Sequence, residues 1–375
     1  MTKKSVLVFR KRLLGYSETF IAAQGRALPS LQPVFVGFKK DPTGFDYLGD
    51  APVLLHSELA RSGPLSRTLM RISGRVSPRW LRAMASTDPA LLHAHFGRDA
   101  LTALPIAERL GIPLIATFHG FDIATNDTRS RYAKRRPQVY ASAAVVIAVS
   151  QFIRGQLVAK SCPPEKIVVH YIGIDVDQFT PDPKVPRQPR VLFVGRLVPK
   201  KGLDYLIRAM ARIQDRHQNA ELVVVGDGPL RQDLERFASA ELRTFRFLGR
   251  QTPSQVHSLM NSSQVSCVPS VVAPSGDAEG LPMVVLEAMA MGLPVLSFAP
   301  GGVTDAIVDG ETGLLAPERD ESALAAHLDR VLGDPELCRR MGEAGRARVR
   351  EEFDLRKQTA KLEEIYMEVL AAPGR

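Results

Sequence analysis

Two glutamates enclose a short apolar stretch in the second half of this 375-residue chain, Glu279-Gly-Leu-Pro-Met-Val-Val-Leu-Glu287. Carboxylates accept hydrogen bonds well from vicinal sugar hydroxyls, and an acid embedded in apolar sequence needs such a partner. Gly280 frees the loop, and Pro282 suits the first turn of a helix. The amides near Leu281–Met283 would then point at a pyrophosphate from the helix N-terminus. We therefore expect one acid to hold a hexose and the other a ribose.

A second candidate loop follows a predicted strand and opens a helix, Val194-Gly-Arg-Leu-Val-Pro-Lys-Lys-Gly202. Gly195 lets a phosphate approach closely, Arg196 can bind two phosphate oxygens, and Lys201 adds a point charge. A solvated basic turn is the alternative, but the position at the carboxyl end of a strand favours a ligand. Gly226 and Gly228 follow the next strand. They are a weaker signal, because the third glycine of a dinucleotide fingerprint is missing.

Histidines follow two predicted strands in the first half of the chain. His119 lies at a strand end in Thr117-Phe-His-Gly-Phe-Asp122, so a catalytic or substrate-contact role stands beside a structural one. His93 and His95 alternate at the end of another strand like a metal pair. No third ligand is evident nearby in the sequence, so packing or contacts to an acceptor are favoured and no metal site is predicted.

Short apolar runs bounded by Gly or Pro alternate with amphipathic stretches along most of the chain. This pattern predicts parallel sheets covered by helices, an α/β fold. The predicted strands lie at Val6–Phe9, Val34–Val36, Val53–Leu55, Leu91–His95, Leu114–Thr117, Ala144–Val149, Ile167–Val169, Val191–Val194, Leu222–Val225, Phe245–Leu248, Val265–Val268, Val295–Phe298 and Leu314–Leu315.

A proline-rich segment separates the two halves. Thr180–Pro189 holds four prolines, which continue neither a helix nor a central strand. We therefore predict an N-terminal domain over residues 1–180, a linker over 181–189 and a C-terminal domain over 190–353. Residues 354–370 carry an apolar stripe at helical spacing, which predicts a terminal helix that needs a surface to cover.

The composition is that of a soluble globular protein, with 45% hydrophobic and 24% charged residues. The three cysteines follow no disulfide or metal-ligand spacing, and no apolar run is long enough to span a bilayer. We therefore expect a cytoplasmic protein. The charge is uneven, since residues 1–180 hold 24 Lys and Arg against 13 Asp and Glu, whereas residues 181–375 hold 25 against 27. This asymmetry suggests that the first half meets an anionic partner.

Residues 61–82 contain six arginines and no acid. Leu65, Leu69, Ile72 and Val76 recur there at helical spacing, with Trp80 close behind. The pattern is typical of a helix lying in an anionic membrane interface, and Gly74 and Pro78 favour a broken helix over a single one. A solvated basic face is the alternative. Nucleic-acid binding is not favoured despite a pI near 9.6, because no recognised module and no interleaving of aromatic with basic residues is present.

The loops together resemble glycosyltransferase family 4, the retaining enzymes of the GT-B fold. The similar segments include Phe193–Gly202, Val225-Gly-Asp-Gly-Pro229, Phe247-Leu-Gly-Arg250, Glu279–Glu287, Pro300-Gly-Gly302, Asp309–Gly313, His95-Phe-Gly97, Phe118-His-Gly120 and Gly173-Ile-Asp175. Ser17-Glu-Thr-Phe-Ile21 is similar to the subset that builds bacterial exopolysaccharides, including colanic-acid-type transferases. Where many members have a Gly-Gly pair in the first loop, this chain has Leu14-Gly-Tyr-Ser-Glu18, so only Gly15 is carried over.

The resemblance implies two Rossmann-like domains facing each other across a cleft, with the final helix crossing back to the first domain. It implies that Arg196 and Lys201 stabilise the departing diphosphate, that Glu287 binds ribose, and that Glu279 binds the sugar hydroxyls. It places His119 near the reacting face of the sugar. Donor contacts extend to the glycine loops and Arg250, whereas His95 and Asp122 fall on the acceptor side.

The function implied is transfer of a hexose, with retention, from a UDP- or GDP-linked donor to a glycan acceptor, without a metal or other cofactor. A polyprenyl-diphosphate-linked oligosaccharide acceptor would supply both anionic and apolar partners for the basic half. The protein is then expected at the inner face of the cytoplasmic membrane. Two alternatives are a nucleotide-sugar epimerase of the same fold and a non-catalytic protein that binds sugar nucleotides.

Overall fold

The structure is a computed structural model that describes residues 4–15, 18–41, 47–59 and 75–372. The chain divides into two compact units. Unit 1 consists of residues 1–173 and 355–375, and unit 2 consists of residues 174–354. Each unit contains a parallel β-sheet against which helices pack, which confirms the predicted α/β class.

In unit 1, the described residues form a seven-stranded parallel sheet of order β5-β3-β1-β6-β7-β8-β9. The strands are β1 (Ser5–Phe9), β3 (Gln32–Gly37), β5 (Val53–Leu55), β6 (Pro89–His95), β7 (Leu114–Phe118), β8 (Val145–Ala148) and β9 (Ile167–Val169). Two short strands that the sequence did not predict, β2 (Arg12–Leu13) and β4 (Lys39–Lys40), pair separately. All five residues of β1 are buried, as expected for a strand covered on both faces. The strand order reverses at β1, where ligand sites form in open α/β sheets.

In unit 2, the described residues form a six-stranded parallel sheet of order β12-β11-β10-β13-β14-β15. The strands are β10 (Gln188–Val194), β11 (Glu221–Val225), β12 (Phe245–Gly249), β13 (Ser263–Val268), β14 (Val295–Phe298) and β15 (Gly313–Ala316). The order reverses at β10, which pairs with β11 on one side and β13 on the other. The loops that leave the carboxyl ends of these central strands are therefore placed to form a common site.

The helices follow the strands in alternation, as the sequence pattern predicts. In unit 1 they are α1 (Thr19–Arg26), α2 (His56–Leu59), α3 (Pro78–Ala85), α4 (Gly97–Leu110), α5 (Arg131–Ser142), α6 (Gln151–Ala159) and the C-terminal α14 (Leu355–Ala371). In unit 2 they are α7 (Leu203–Ile213), α8 (Arg231–Glu241), α9 (Pro253–Ser262), α10 (Met283–Ala290), α11 (Val303–Ala306), α12 (Glu321–Gly333) and α13 (Pro335–Glu352).

The predicted linker and the observed boundaries differ. Unit 2 begins at Ile174, whose amide donates to the carbonyl of Phe353 at 2.9 Å. Strand β10 starts at Gln188, inside the predicted linker. Pro189 fits there because the register with β13 shifts between Gln188 and Val191, so the missing proline N–H interrupts no regular ladder.

The C-terminal helix α14 belongs to unit 1, which confirms that the chain returns to its first domain. Leu362 and Tyr366 of α14 are 1% exposed and join the core that contains Val6 and Phe35. The carboxylate of Glu363 accepts a hydrogen bond from the amide of Ser30 at 3.0 Å. The apolar stripe of this helix therefore covers unit 1, and a charged residue beside the stripe fixes its position.

The segment 61–82, for which a broken helix in a membrane interface is predicted, is described by the structure only from residue 75 onward. Residues 61–74 lie outside the described residues. Val76 and Trp80 are buried, and the Trp80 ring packs against Phe38 with centroids 5.6 Å apart. The indole N–H donates to the carbonyl of Leu54 at 3.1 Å, so Trp80 is a core residue and not a membrane anchor. Within the described residues, no helix combines the length and apolar character needed to cross a membrane.

Candidate functional site

A cluster of two lysines and two acids lies beyond β10 and β13 in unit 2. The Nζ atom of Lys201 lies 3.2 Å from Oε1 of Glu279, and the side chain of Glu279 is 12% exposed. The Nζ atom of Lys200 lies 3.2 Å from Oδ1 of Asp277 and 3.7 Å from Oε1 of Glu279. The cluster thus joins two of the loops that the sequence singled out, at the carboxyl ends of neighbouring strands.

The charge state of Glu279 follows from this cluster. Burial alone would raise the pKa of the Glu279 carboxyl, but the ammonium groups of Lys201 and Lys200 outweigh burial and hold the pKa below its usual value. Glu279 is therefore ionised at neutral pH. An ionised, largely buried carboxylate is a strong hydrogen-bond acceptor for hydroxyl groups.

Backbone packing explains the glycine that follows the lysines. Gly202 has φ of +61°, and a Cβ atom there would lie 2.0 Å from the carbonyl oxygen of Pro269, which follows β13. Only glycine allows the two loops to approach this closely. Gly195 differs, because a Cβ atom there would make an ordinary contact with Lys201 at 3.5 Å. The described chain therefore does not itself require glycine at position 195, and the close approach of a phosphate there stays a prediction.

Gly226 and Gly228 hold the loop after β11 against the loop after β10. A Cβ atom on Gly226, where φ is +130°, would lie 1.9 Å from the carbonyl oxygen of Gly195, and one on Gly228 would lie 2.4 Å from that of Leu197. The amide of Leu197 donates to the carbonyl of Asp227 at 3.0 Å. Gly226 and Gly228 therefore allow the loop that carries Arg196 to pack closely. Contact of these two glycines with a donor stays a prediction.

The segment around Glu279 is anchored by the loop after β14. The carbonyl of Glu279 accepts a hydrogen bond from the amide of Gly302 at 2.8 Å. A Cβ atom on Gly301, where φ is +71°, would lie 2.6 Å from the same carbonyl oxygen. The Pro300-Gly-Gly302 sequence therefore fixes the backbone from which the Glu279 side chain extends.

Helix α10 begins at Met283, one residue later than expected, with Pro282 as its N-cap residue. The amide of Val285 donates to the carbonyl of Pro282, while Gly280, Leu281 and Pro282 are buried. The first amides of a helix lack intrahelical acceptors, so the start of α10 suits an anion, and its contact with a diphosphate stays a prediction.

Glu287 lies within α10 and is partly buried. Burial raises the pKa of its carboxyl to about 7, although the charge of Lys201 acts in the opposite direction. The two acids that the sequence treated as a pair are thus in different states, because the pKa of Glu279 is lowered while that of Glu287 is raised.

Two arginines predicted for the donor site are solvent-accessible. Arg196 is exposed, and its side chain makes no hydrogen bond or ion pair with any residue that the structure describes. The Arg250 side chain is 60% exposed, with Nε 4.0 Å from Oδ2 of Asp227. Arg196 is thus available to an anionic ligand at the loop that carries Lys201.

Lys200 and Asp277 are site residues that the sequence analysis missed. The signal was present, because Lys200 adjoins Lys201 and Asp277 lies two residues before Glu279. Sequence alone did not show that the Pro199–Lys201 turn is 3-10 helical and directs both lysines toward the acids.

In unit 1, His119 follows β7 and lies among aromatic rings. Its ring centroid lies 4.5 Å from that of Phe96 and 5.2 Å from that of Phe20. Its Nε2 atom lies 3.1 Å from Nδ1 of His95, which is 2% exposed. The predicted acceptor-side residue His95 therefore lies behind His119 and is largely closed to solvent.

Asp122 has a structural role that the sequence did not predict. Its carboxylate is 2% exposed and accepts hydrogen bonds from the amides of Gly97 at 2.7 Å, His119 at 3.1 Å and Gly120 at 3.1 Å. Burial raises the pKa of Asp122, and these amides oppose that shift. Because both carboxylate oxygens accept from backbone amides, Asp122 fixes the His119 loop, and its contact with an acceptor stays a prediction.

His93 is held by hydrogen bonds rather than used as a ligand. Its Nδ1 atom lies 2.6 Å from the Tyr366 hydroxyl, and its Nε2 atom lies 2.6 Å from Oγ1 of Thr117. Burial, with a smaller contribution from His170, lowers the pKa of His93 to about 3, so the ring is neutral. Both ring nitrogens of His93 are therefore hydrogen-bonded within the protein, which agrees with the structural role that was favoured over a metal pair.

Gly15 lies near an ion-pair cluster at the end of β1. Its carbonyl accepts from the amide of Glu18, whose carboxylate pairs with Arg10, and Arg10 also pairs with Asp99. A Cβ atom on Gly15 would meet no atom closer than 3.9 Å. The described chain therefore does not itself require glycine there, and donor contact by Gly15 stays a prediction.

Two family models cover nearly the whole chain. Residues 18–178 match the model Glycosyltransferase Family 4, and residues 177–348 match the model Glycosyl transferases group 1. The chain is 32% identical over 244 residues to the colanic acid biosynthesis glycosyltransferase WcaL of Salmonella typhimurium, an alignment that covers 63% of this chain and 59% of WcaL. This chain thus spans less than two thirds of the length of that relative.

Two further comparisons extend over more of the matched proteins. The chain is 32% identical to the amylovoran biosynthesis glycosyltransferase AmsK of Erwinia amylovora, covering 72% of this chain and 68% of AmsK. Anabaena HepE, solved with UDP-glucose, superposes with a TM-score of 0.78 at 18% identity, covering 97% of this chain and 99% of that one. The fold is that of GT-B glycosyltransferases, and the chain belongs to the family that combines a Glycosyltransferase Family 4 domain with a group 1 domain.

Proposed function

We propose that this protein is a retaining glycosyltransferase that transfers a hexose from a UDP- or GDP-linked donor to a glycan acceptor. The observation that carries the proposal is the ion pair of Lys201 with Glu279 at the switch point of the unit 2 sheet. A nucleotide sugar has a diphosphate, which Lys201 can bind as a cation, and sugar hydroxyls, which can donate hydrogen bonds to the ionised Glu279.

Each part of the donor has a group that fits it. The amides at the start of α10 and the exposed guanidinium of Arg196 suit the diphosphate. Glu279, ionised in the free protein, suits the hexose hydroxyls. Glu287 suits the ribose, and its raised pKa means that it can either accept from or donate to a hydroxyl near neutral pH. His119 is the residue of unit 1 that we propose to contact the sugar during transfer.

In the proposed reaction, the bond from C1 of the hexose to the diphosphate oxygen breaks, and a bond from C1 to the acceptor oxygen forms on the same face. The acceptor proton passes to an oxygen of the departing diphosphate. Arg196 and Lys201 stabilise the charge that develops on this leaving group, so activity should persist in EDTA. Mass-spectrometric detection of a glycosyl-enzyme adduct would contradict this route.

The relatives suggest where such an activity is used. WcaL and AmsK are named for the synthesis of two exopolysaccharides, and HepE was solved with UDP-glucose. We therefore propose a role in exopolysaccharide or surface polysaccharide synthesis, with a polyprenyl-diphosphate-linked oligosaccharide as acceptor. The basic half of the chain, with a net charge of +11 over residues 1–180, suits an anionic acceptor at the inner face of the cytoplasmic membrane.

The test of the proposed function is a product assay. UDP- and GDP-sugars are each incubated with polyprenyl-diphosphate oligosaccharides, and the products are analysed by mass spectrometry and by NMR of the anomeric carbon. One donor should add a single hexose to the acceptor with retained configuration. A new nucleotide sugar formed without an acceptor would show an epimerase instead, and an inverted product would contradict the mechanism.

Membrane association has its own test. Arg67 and Arg71 lie outside the described residues, whereas Arg75 is exposed, as are Arg131 and Lys134 on α5. Replacing Arg67, Arg71 and Arg75 by Glu should abolish flotation of the protein with anionic liposomes, because charge complementarity is lost. Flotation equal to that of the wild type would contradict the proposal.

A further inference from the structure

The two nitrogens of His119 have different surroundings. Its Nε2 atom lies 3.1 Å from Nδ1 of His95, and the two rings stack with centroids 5.3 Å apart and planes 26° apart. Its Nδ1 atom is buried and makes no hydrogen bond with any residue in the described part of the chain. A buried polar atom without a partner calls for a ligand, so Nδ1 is the atom of His119 that a bound molecule would satisfy.

His95 is itself held in place. Its ring is 2% exposed and lies 4.3 Å, centroid to centroid, from that of His93. His93 is fixed in turn by the Tyr366 hydroxyl from α14 and by Oγ1 of Thr117, both at 2.6 Å. His95 is thus part of a packed row of side chains that extends to the C-terminal helix α14. The row consists of His119, His95, His93 and Tyr366.

This row contains neutral imidazoles. Burial lowers the pKa of His95 and of His119 well below the usual value, and the positive charge of Arg10 acts in the same direction. A neutral imidazole has one nitrogen that donates and one that accepts. In the bond between the two rings, one nitrogen must donate and the other accept, so the tautomer of His95 determines that of His119.

We propose that His95 is a positioning residue that fixes both the ring plane and the tautomer of His119, so that Nδ1 of His119 presents one defined hydrogen-bonding character to a sugar hydroxyl. The catalytic consequence rests on the proposed function, in which His119 contacts the transferred sugar. The geometry of the free protein does not depend on that function, because it involves only the side chains of unit 1.

The test replaces His95 by Phe, which keeps an aromatic ring for the stack and removes the nitrogen, and separately by Asn, whose amide can bond to His119. The full-length protein is labelled with 15N-histidine, and the His119 signals are assigned by their absence from the His119→Gln spectrum. His56→Phe is the matched control, because His56 is a buried ring of unit 1 that packs against Trp80 instead.

The wild type should show His119 in a single tautomer, and His95→Phe should shift its two ring nitrogens toward averaged values while His56→Phe leaves them unchanged. Turnover should fall about tenfold in His95→Phe, since one hydrogen bond is lost, with the Michaelis constant for the donor nearly constant and activity partly restored in His95→Asn. Unchanged His119 signals in His95→Phe, or in His95→Leu if the Phe variant does not fold, would overturn the proposal. Altered signals with full activity would support positioning by His95 and contradict the contact of His119 with the sugar.

Discussion

The Nζ atom of Lys201 lies 3.2 Å from Oε1 of Glu279, so the cation and the anion of the candidate donor site neutralise each other in the free protein. A diphosphate that binds Lys201 competes with Glu279 for its charge, which leaves the carboxylate available to sugar hydroxyls. Lys200, 3.7 Å from the same oxygen, can keep Glu279 ionised during this exchange.

Replacing Glu279 by Gln should lower kcat/KM by roughly 10- to 100-fold, because a hydrogen bond from a hydroxyl to a charged group contributes about 1.5–3 kcal/mol. The measurement is steady-state kinetics with the donor varied. Glu241→Gln, at the exposed end of α8, is the control and should leave kcat/KM unchanged. Equal kinetics for Glu279→Gln and the wild type would remove Glu279 from the site.

The raised pKa of Glu287 predicts a gain in stability when its charge is removed. Burial raises the pKa of this carboxyl in the folded protein to about 7, above its unfolded value, so the folded state loses stability as the pH rises toward 7. Glu287→Gln should therefore be more stable than the wild type at pH 8, by on the order of 1–3 kcal/mol. The two proteins should be similar at pH 4, where the carboxyl is mostly protonated in both states. Urea unfolding at the two pH values measures the difference, and a variant that is less stable at pH 8 would contradict the assignment.

The same group predicts how donor binding depends on pH. Affinity for UDP-glucose should increase between pH 6 and 8 in the wild type if an ionised Glu287 accepts from the ribose, because the carboxyl loses its proton near pH 7. UDP-glucose suits this titration because its diphosphate has no proton that titrates in this range. The affinity of Glu287→Gln for UDP-glucose, measured by calorimetry, should be low and independent of pH. A wild-type affinity that does not vary with pH would contradict an ionised acceptor.

The contact of Gly202 with Pro269 predicts a loss of stability that exceeds backbone strain alone. Gly202→Ala introduces a Cβ atom at φ of +61°, 2.0 Å from the Pro269 carbonyl oxygen. Gly111→Ala is a matched control, since φ is +65° and a Cβ atom there has no described atom within 4 Å. Gly111→Ala should cost about 1–2 kcal/mol, and Gly202→Ala about 1–3 kcal/mol more, in chemical unfolding. Equal losses would mean that the loops are not packed as described.

The C-terminal helix should stabilise unit 1 through its apolar stripe. Leu362→Ala removes a side chain that is 1% exposed and should cost about 2–5 kcal/mol. Met367→Ala, on the same helix at 42% exposure, should cost less than about 0.5 kcal/mol. Urea unfolding provides both values, and similar losses for the two variants would contradict packing of α14 on unit 1.

The strands of both sheets were predictable because a strand buried on both faces is a continuous apolar run, as in Val6–Phe9 and Leu222–Val225. The two-residue strand Arg12–Leu13 was not, because it carries no periodicity and depends on pairing with Lys39–Lys40. Trp80 was assigned to the wrong environment for a similar reason. Its arginine-rich neighbours suggested a membrane, whereas its burial depends on Phe38, which is distant in sequence.

The site was predictable where chemistry and position agreed. Lys201 and Glu279 are charged residues that follow predicted strands, and a proline near Glu279 indicated the start of α10. Asp122 resembled a ligand-binding acid because sequence does not reveal that backbone amides, including that of Gly97, occupy its oxygens. The opposite pKa shifts of Glu279 and Glu287 likewise depend on which lysines lie nearby, a property of the folded loops.

The most direct test of the donor site is calorimetric binding of a panel of UDP- and GDP-sugars to the wild type, Lys201→Met and Lys184→Met. Lys184 is an exposed lysine of the same unit, so its replacement controls for the loss of one positive charge. One nucleotide sugar should bind the wild type and Lys184→Met equally, and Lys201→Met at least about tenfold more weakly, because a charge-assisted contact to the diphosphate is lost. Wild-type affinity in Lys201→Met would contradict contact of Lys201 with the diphosphate, and no binding of any nucleotide sugar to the wild type would contradict the donor site itself.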